Sequence, residues 1–235
     1  IITPRFVPSC TSELMSGLGN LAEAYNVPVQ SHLSENHGEI EWVAALHPEA
    51  ANYTDVYYEH HLMGKVQTVM AHCIHLSDVE MDRMAETQTM VSHCPYSNVN
   101  LSSGIAPIRK LFERKIPIGL GSDISGGHIV SMAKVLTEAI GLSKMKWVEV
   151  DQTYAPLTLS EAFYMATKGG GKFFGKVGSF EKGCELDALV IDDTTLFDPN
   201  ERSLEERLER WLYVGDDRHI VERYVACKVA PEPTN

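Results

Sequence analysis

Short apolar runs alternate along this chain with stretches in which apolar residues recur every three or four positions. The runs VPVQSH (27–32), TVMAHC (68–73), TMVSHCP (89–95) and IPIGLGSD (116–123) are strand-like, each bounded by turn residues. Because they are almost continuously apolar, they predict a sheet buried on both faces. Between them, Leu14, Leu18, Leu21 and Tyr25 fall at helical spacing over 12–25. Ser77-x-x-Glu80 is a capping box with Leu76 and Met81 placed as a hydrophobic staple, and Pro107 suits the first turn of a helix reaching about Arg114. A further helix is expected from Ser131 to Lys146. A second capping box, Thr158-x-x-Glu161, opens one that ends in Gly169-Gly170-Gly171. Strand and helix in alternation predict a parallel α/β architecture.

Beyond about Gly175 the pattern changes. GSFEKGCELDALVI (178–191) and VERYVACKVA (221–230) alternate as strands do, with the charged helical stretch Glu201 to Trp211 between them. The expected division is an α/β unit over 1–176 and a small β appendage over 177–235.

At 235 residues and 44% apolar composition, the chain can bury a large core. A formal charge of −12 without a Lys/Arg run argues against nucleic acid or an anionic membrane surface as a partner, and leaves small molecules or proteins. No apolar stretch approaches the length of a membrane span. The five cysteines are odd in number, widely spaced and contain no C-x-x-C pair, which fits reduced thiols in the cytoplasm. Ile1-Ile2-Thr3-Pro4 reads as the end of a strand without a starting Met, as expected of a carboxyl-terminal portion of a longer protein.

The candidate chemistry sits where the strands stop: His32 with Glu35, then His72, then His93, then Asp123. Parallel α/β barrels place their active sites at these strand ends. A single histidine there is commonly a hydrogen-bonded core or loop residue. Four successive strand ends bearing metal-competent groups form a pattern. Imidazole and carboxylate bind Zn²⁺ while an open position holds a water that ionises near neutral pH. Glu35, three residues beyond His32, can face the same cavity and shuttle protons, or it can be a helix N-terminal charge ahead of the amphipathic stretch Glu39 to Leu46. HCPYSN (93–98) reads as a loop shaping the pocket floor, with Ser97 and Asn98 ordering it through side-chain to backbone bonds. The P-C-x-x-C that must accompany H-x-E in the signature of the other class of zinc deaminase is absent.

TPRF (3–6), QSHLSEN (30–36), MAHC (70–73), SHCPYSNVNLSSG (92–104), GLGSDISGG (119–127) and LYVGDDRHI (212–220) resemble the guanine deaminases of the amidohydrolase superfamily. The resemblance implies a (β/α)8 TIM-type barrel, of which these residues would form about strands 4–8, with a small β-sandwich appendage. It implies Zn²⁺ held by a His-x-His pair, His32 and Asp123, with Glu35 as proton shuttle and His72 stabilising the developing oxyanion. Arg5 and Phe6 would hold the purine, with His32, Glu35, His72 and Asp123 also facing it. The implied reaction is hydrolysis of guanine to xanthine and ammonia by a zinc-activated water, in purine catabolism, in a cytoplasmic homodimer. No His-x-His occurs in the 235 residues. Those two ligands are expected upstream of Ile1, and the 235 residues by themselves are expected to be inactive. The competing readings are a related deaminase or chlorohydrolase acting on another purine, a pterin or a triazine, and a non-catalytic module that kept the fold.

Overall fold

The computed structural model describes residues 1–231; positions 232–235 of the expected appendage lie outside the described residues. After a short 3-10 turn at Val7–Ser9, the first unit runs α1 (Ser12–Tyr25), β1 (Val29–Leu33), α2 (His37–Leu46), α3 (Tyr53–Glu59), β2 (Thr68–His72), α4 (Asp78–Glu86) and β3 (Met90–His93). It continues through α5 (Pro95–Asn100), α6 (Ile108–Glu113), β4 (Ile118–Leu120), α7 (Met132–Glu149) and α8 (Leu159–Tyr164), whose helix runs on through a π turn at Met165–Gly169. β1 to β4 form one parallel sheet in sequential order. Ile2 bridges to Val29 in the same sense, so the first residues extend the sheet past β1.

The strands form where the apolar pattern places them, and their inward residues Val29, Leu33, Met70, Val91 and Ile118 are buried. Helices cover the sheet through Met15, Val43, Met81, Met84, Leu111, Leu136 and Met165. In α1 the expected helix is present but its buried face is different. Leu14, Leu21 and Tyr25 are exposed, while Met15, Gly19 and Ala22 face inward. The reason is close approach: a Cβ at Gly19 would overlap the His60 carbonyl oxygen, so only a glycine lets the helix lie this near the segment after α3. The same device seats β4, where a Cβ on Gly119 would come within 2.8 Å of Gly170 Cα in the helix above.

Both expected capping boxes are present, at Ser77/Glu80 with Leu76 and Met81 buried, and at Thr158/Glu161. Asn36/Glu39 is a third, and it lies closest to the site. Buried Glu39 accepts from the Glu35 N–H at 2.8 Å through Oε2 and from the Tyr53 hydroxyl at 2.7 Å through Oε1.

The remainder holds β5 (Ala188–Ile191), α9 (Leu204–Val214), β6 (Ile220–Val225) and β7 (Lys228–Val229), an antiparallel sheet of three strands with a helix between the first two. The expected strand over 178–187 is replaced by turns, because Gly178 and Gly183 take φ of +73° and +93° and Cys184 N–H turns back onto the Glu181 carbonyl. α9 packs on α7, with Trp211 and Leu212 buried and Lys134 Nζ donating to the Tyr213 carbonyl at 2.9 Å.

Glu39→Ala removes the carboxylate half of the capping box and takes away the partner of the buried Tyr53 hydroxyl. The expected loss is about 2–4 kcal/mol, read from the urea midpoint. Adding Tyr53→Phe should recover part of it.

Candidate active site

The parallel register brings the chemistry to one edge. His32 pairs with Ala71 and Leu33 with His72, while His93 pairs with Leu120 three residues before Asp123. The chain leaves these strands abruptly. Ser34 (φ +49°), His72 (+69°), Cys73 (+52°) and Asp123 (+44°) all occupy the left-handed region, a strained conformation for residues other than glycine. The bends are held by main-chain bonds, Cys73 N–H to the Leu33 carbonyl at 3.0 Å and Gly127 N–H to the Asp123 carbonyl at 2.6 Å.

His72 is the centre of the arrangement and is almost fully buried. Its Nδ1–H donates to Asn98 Oδ1 at 2.9 Å, which leaves Nε2 facing Glu35 Oε2 at 3.7 Å and Asp123 Oδ2 at 3.9 Å. Both separations exceed a hydrogen bond, so a small group set between them can touch all three. The His32 ring stacks on His72 with centroids 5.2 Å apart. His32 Nδ1–H donates to the Arg5 carbonyl at 2.6 Å, fixing the tautomer with Nε2 as the free lone pair. Below it, Tyr57 donates to the His32 carbonyl at 2.8 Å and bonds the Ser31 hydroxyl at 2.7 Å.

Four of the residues singled out in the sequence, His32, Glu35, His72 and Asp123, are thus gathered. Asn36 caps α2, and the carboxylate of Glu35, the residue before it, turns inward with its side chain 16% exposed. Arg5 and Phe6 stand at the rim. The Arg5 guanidinium is exposed and lies 5.2 Å over the Phe6 ring, which meets Trp42 edge-on at 6.1 Å. Only the Arg5 backbone reaches the His32 side.

His93 is buried beneath the site, and burial, with a smaller contribution from His72, pulls its imidazole down to about 3, so it is neutral at ordinary pH. Its Nδ1 has no partner among the described residues. Burial pushes the Cys94 thiol up to about 12. HCPYSN is not a loop: Pro95 starts the short helix α5, where a missing N–H costs nothing. Asn98 bonds the His72 ring instead of the backbone, and Ser97 Oγ has no partner among the described residues. The sequence offered no signal for the Asn98–His72 bond, since it joins residues 26 positions apart.

His32 suits a metal ligand, because a ligating imidazole commonly donates its other N–H to a carbonyl. Asp123 suits one as well. Gly126 leaves room beside it, since a Cβ there would lie 2.6 Å from both Asp123 Oδ2 and Ser97 Oγ. Among the described residues no three His, Cys, Asp or Glu side chains assemble a cage by themselves, so these two could supply only part of a metal's ligand set.

The sequence profile of the Amidohydrolase family matches residues 1–229. Guanine deaminase of Dictyostelium discoideum is 44% identical over 232 residues, covering 96% of this chain and 51% of that protein. Guanine deaminase of Escherichia coli (strain K12) is 39% identical over 240 residues, covering 98% and 53%. The crystal structure of guanine deaminase from C. acetobutylicum with guanine bound in its active site superposes with a TM-score of 0.94 at 53% identity, covering 97% of this chain and 54% of that one. The chain therefore spans about half the length of the relatives it matches.

If Asn98 fixes the His72 tautomer, long-range ¹H–¹⁵N spectra should show Nδ1 protonated. Asn98→Ala should lose that signature and about 1–3 kcal/mol of stability for the unpaired buried N–H. An unchanged tautomer would show that Asn98 is not its determinant.

Proposed function

The chain belongs to the amidohydrolase family, and on that premise we propose that it carries the catalytic half-site of a guanine deaminase, which hydrolyses guanine with water to xanthine and ammonia. The observation that supports this most is the convergence of Glu35 and Asp123 on His72 Nε2 beside a tautomer-locked His32. Similarity to guanine deaminases along nearly the whole chain supports guanine as the substrate.

On this reading His32 Nε2 and the Asp123 carboxylate hold Zn²⁺, together with a His-x-His pair that these 235 residues do not contain. Zn²⁺ bound there would supply a water acidic enough to ionise near neutral pH and attack the amino-bearing carbon. Asp123 also accepts a hydrogen bond from the attacking water and so orients it. Glu35 carries a proton to the purine ring nitrogen and then to the departing amine, turning a poor leaving group into ammonia. His72, held by Asn98 through Nδ1–H, faces the oxygen on which charge develops, and it donates to that oxygen through Nε2–H in its imidazolium form, with both ring nitrogens protonated. Arg5 offers a rigid fork of donors to the purine oxygen, and Phe6 an apolar face.

The parallel sheet, with Ile2 bridged to its edge, fits strands four to eight of a (β/α)8 barrel, and the antiparallel β5–β7 sheet fits part of a β-sandwich. Free cysteines at all five positions suit a cytoplasmic compartment, and among the described residues no helix is long and apolar enough to cross a membrane. A homodimer rests on the family resemblance alone and is read by sedimentation velocity.

Two substitutions test the assignment in the protein with its full ligand set. Asp123→Asn should leave the fold intact, lower zinc occupancy and abolish turnover; full activity with full zinc would remove Asp123 from the site. Glu35→Gln should keep zinc and guanine binding while kcat falls about 10²–10⁴-fold. Loss of zinc instead would make Glu35 a ligand.

Arg5→Ala tests selectivity. It should lower kcat/KM for guanine by about tenfold to several hundredfold, with zinc content unchanged. A purine lacking the carbonyl oxygen should lose much less, and equal losses on both substrates would make Arg5 structural.

A further inference from the structure

Resting on the role proposed for Glu35, we infer that Ser103 is the positioning residue for that carboxylate: its hydroxyl engages one oxygen so that the other faces His72 and the reacting purine. Ser103 lies 68 residues along the chain from Glu35, yet its Oγ–H donates to Glu35 Oε1 at 2.9 Å. Oε2 is then the oxygen that stands 3.7 Å from His72 Nε2.

The support for Ser103 is itself fixed on both sides. Its N–H donates to the Asn98 carbonyl at 2.8 Å, and Asn98 is the residue whose side chain orients His72. Its carbonyl accepts from His75 Nε2–H at 2.8 Å. The chain reverses tightly here, with Ser102 at φ +57° and Gly104 at φ +130°. A Cβ on Gly104 would sit 3.1 Å from Ile74 and 3.3 Å from the His75 ring, so glycine keeps the imidazole where it reaches Ser103. Ser103 is 6% exposed, which keeps solvent from competing for its hydroxyl.

At the other end, the Glu35 main chain is pinned by Glu39 Oε2 at 2.8 Å. The freedom left to Glu35 is rotation of its own side chain, and the Ser103 hydroxyl removes it. A single turn, 98–104, thereby orients two of the site's groups, His72 through Asn98 and Glu35 through Ser103. Proton relay depends on such orientation, since a reacting group displaced by about 1 Å loses on the order of 10²-fold in rate.

The experiment is a double-mutant cycle in the zinc-loaded enzyme, with Ser103→Ala and Glu35→Gln made singly and together. Ser103→Ala is expected to lower kcat by about 10–100-fold, with the KM for guanine, zinc content and melting temperature essentially unchanged. Ser103→Thr, which retains the hydroxyl, is expected to recover most of that loss. In the Glu35→Gln background the Ser103→Ala loss should largely vanish, because a residue acting through Glu35 has nothing left to orient. An equal loss in both backgrounds, or a fall in zinc content or melting temperature, would make Ser103 structural and overturn the inference. Unchanged kcat in Ser103→Ala with an inert Glu35→Gln would overturn it while leaving the proposed reaction standing. An active Glu35→Gln would remove the proposed reaction and the inference together.

Discussion

The parallel ladder governs this molecule. Parallel strands need a crossover between each pair, so every strand points the same way and every strand end arrives at one edge. With His32 opposite Ala71, Leu33 opposite His72 and His93 opposite Leu120, His72 comes within 4 Å of both Glu35 and Asp123, which lie on either side of it in the sequence. A slip of one residue in any pairing would turn an inward side chain outward, and burial of Leu33, Met70, Val91 and Ile118 holds the register against it. Core packing and site geometry are therefore the same constraint seen from two sides.

Past the strand ends the backbone is less regular and has a different task. The chain leaves β1, β2 and β4 through left-handed residues, which turn Glu35 and Asp123 back across the strand ends toward His72. Two carboxylates aimed at one imidazole would repel each other if they were free. They are held apart by separate anchors, Glu39 and Ser103 for Glu35, and the Gly126 turn for Asp123.

The strands were legible in the sequence because a sheet buried on both faces writes itself as apolar runs, and the residues closing those runs, His32, His72, His93 and Asp123, were legible with them. The capping boxes at Ser77 and Thr158 were readable because their bonds are local. The bonds that orient the site were not. Asn98 to His72 and Ser103 to Glu35 cross 26 and 68 positions, and no local pattern announces them. The buried face of α1 was hidden for a related reason: it is set by the close approach of Gly19 to His60, whereas Leu14, Leu21 and Tyr25 satisfied the period equally well. Over 178–187, strand-like alternation yielded to glycines in left-handed turns.

The left-handed exits carry a consequence for which residues the chain tolerates. At Ser34, Cys73 and Ser125 the backbone sits at φ +49°, +52° and +92°, where a β-branched side chain is strongly disfavoured whatever its polarity. Small or flexible residues are admitted there for reasons of backbone shape, even though the same positions border reactive groups. A narrow choice of residues at these three sites would report the geometry of a bend, and would be misread if taken as a record of chemistry.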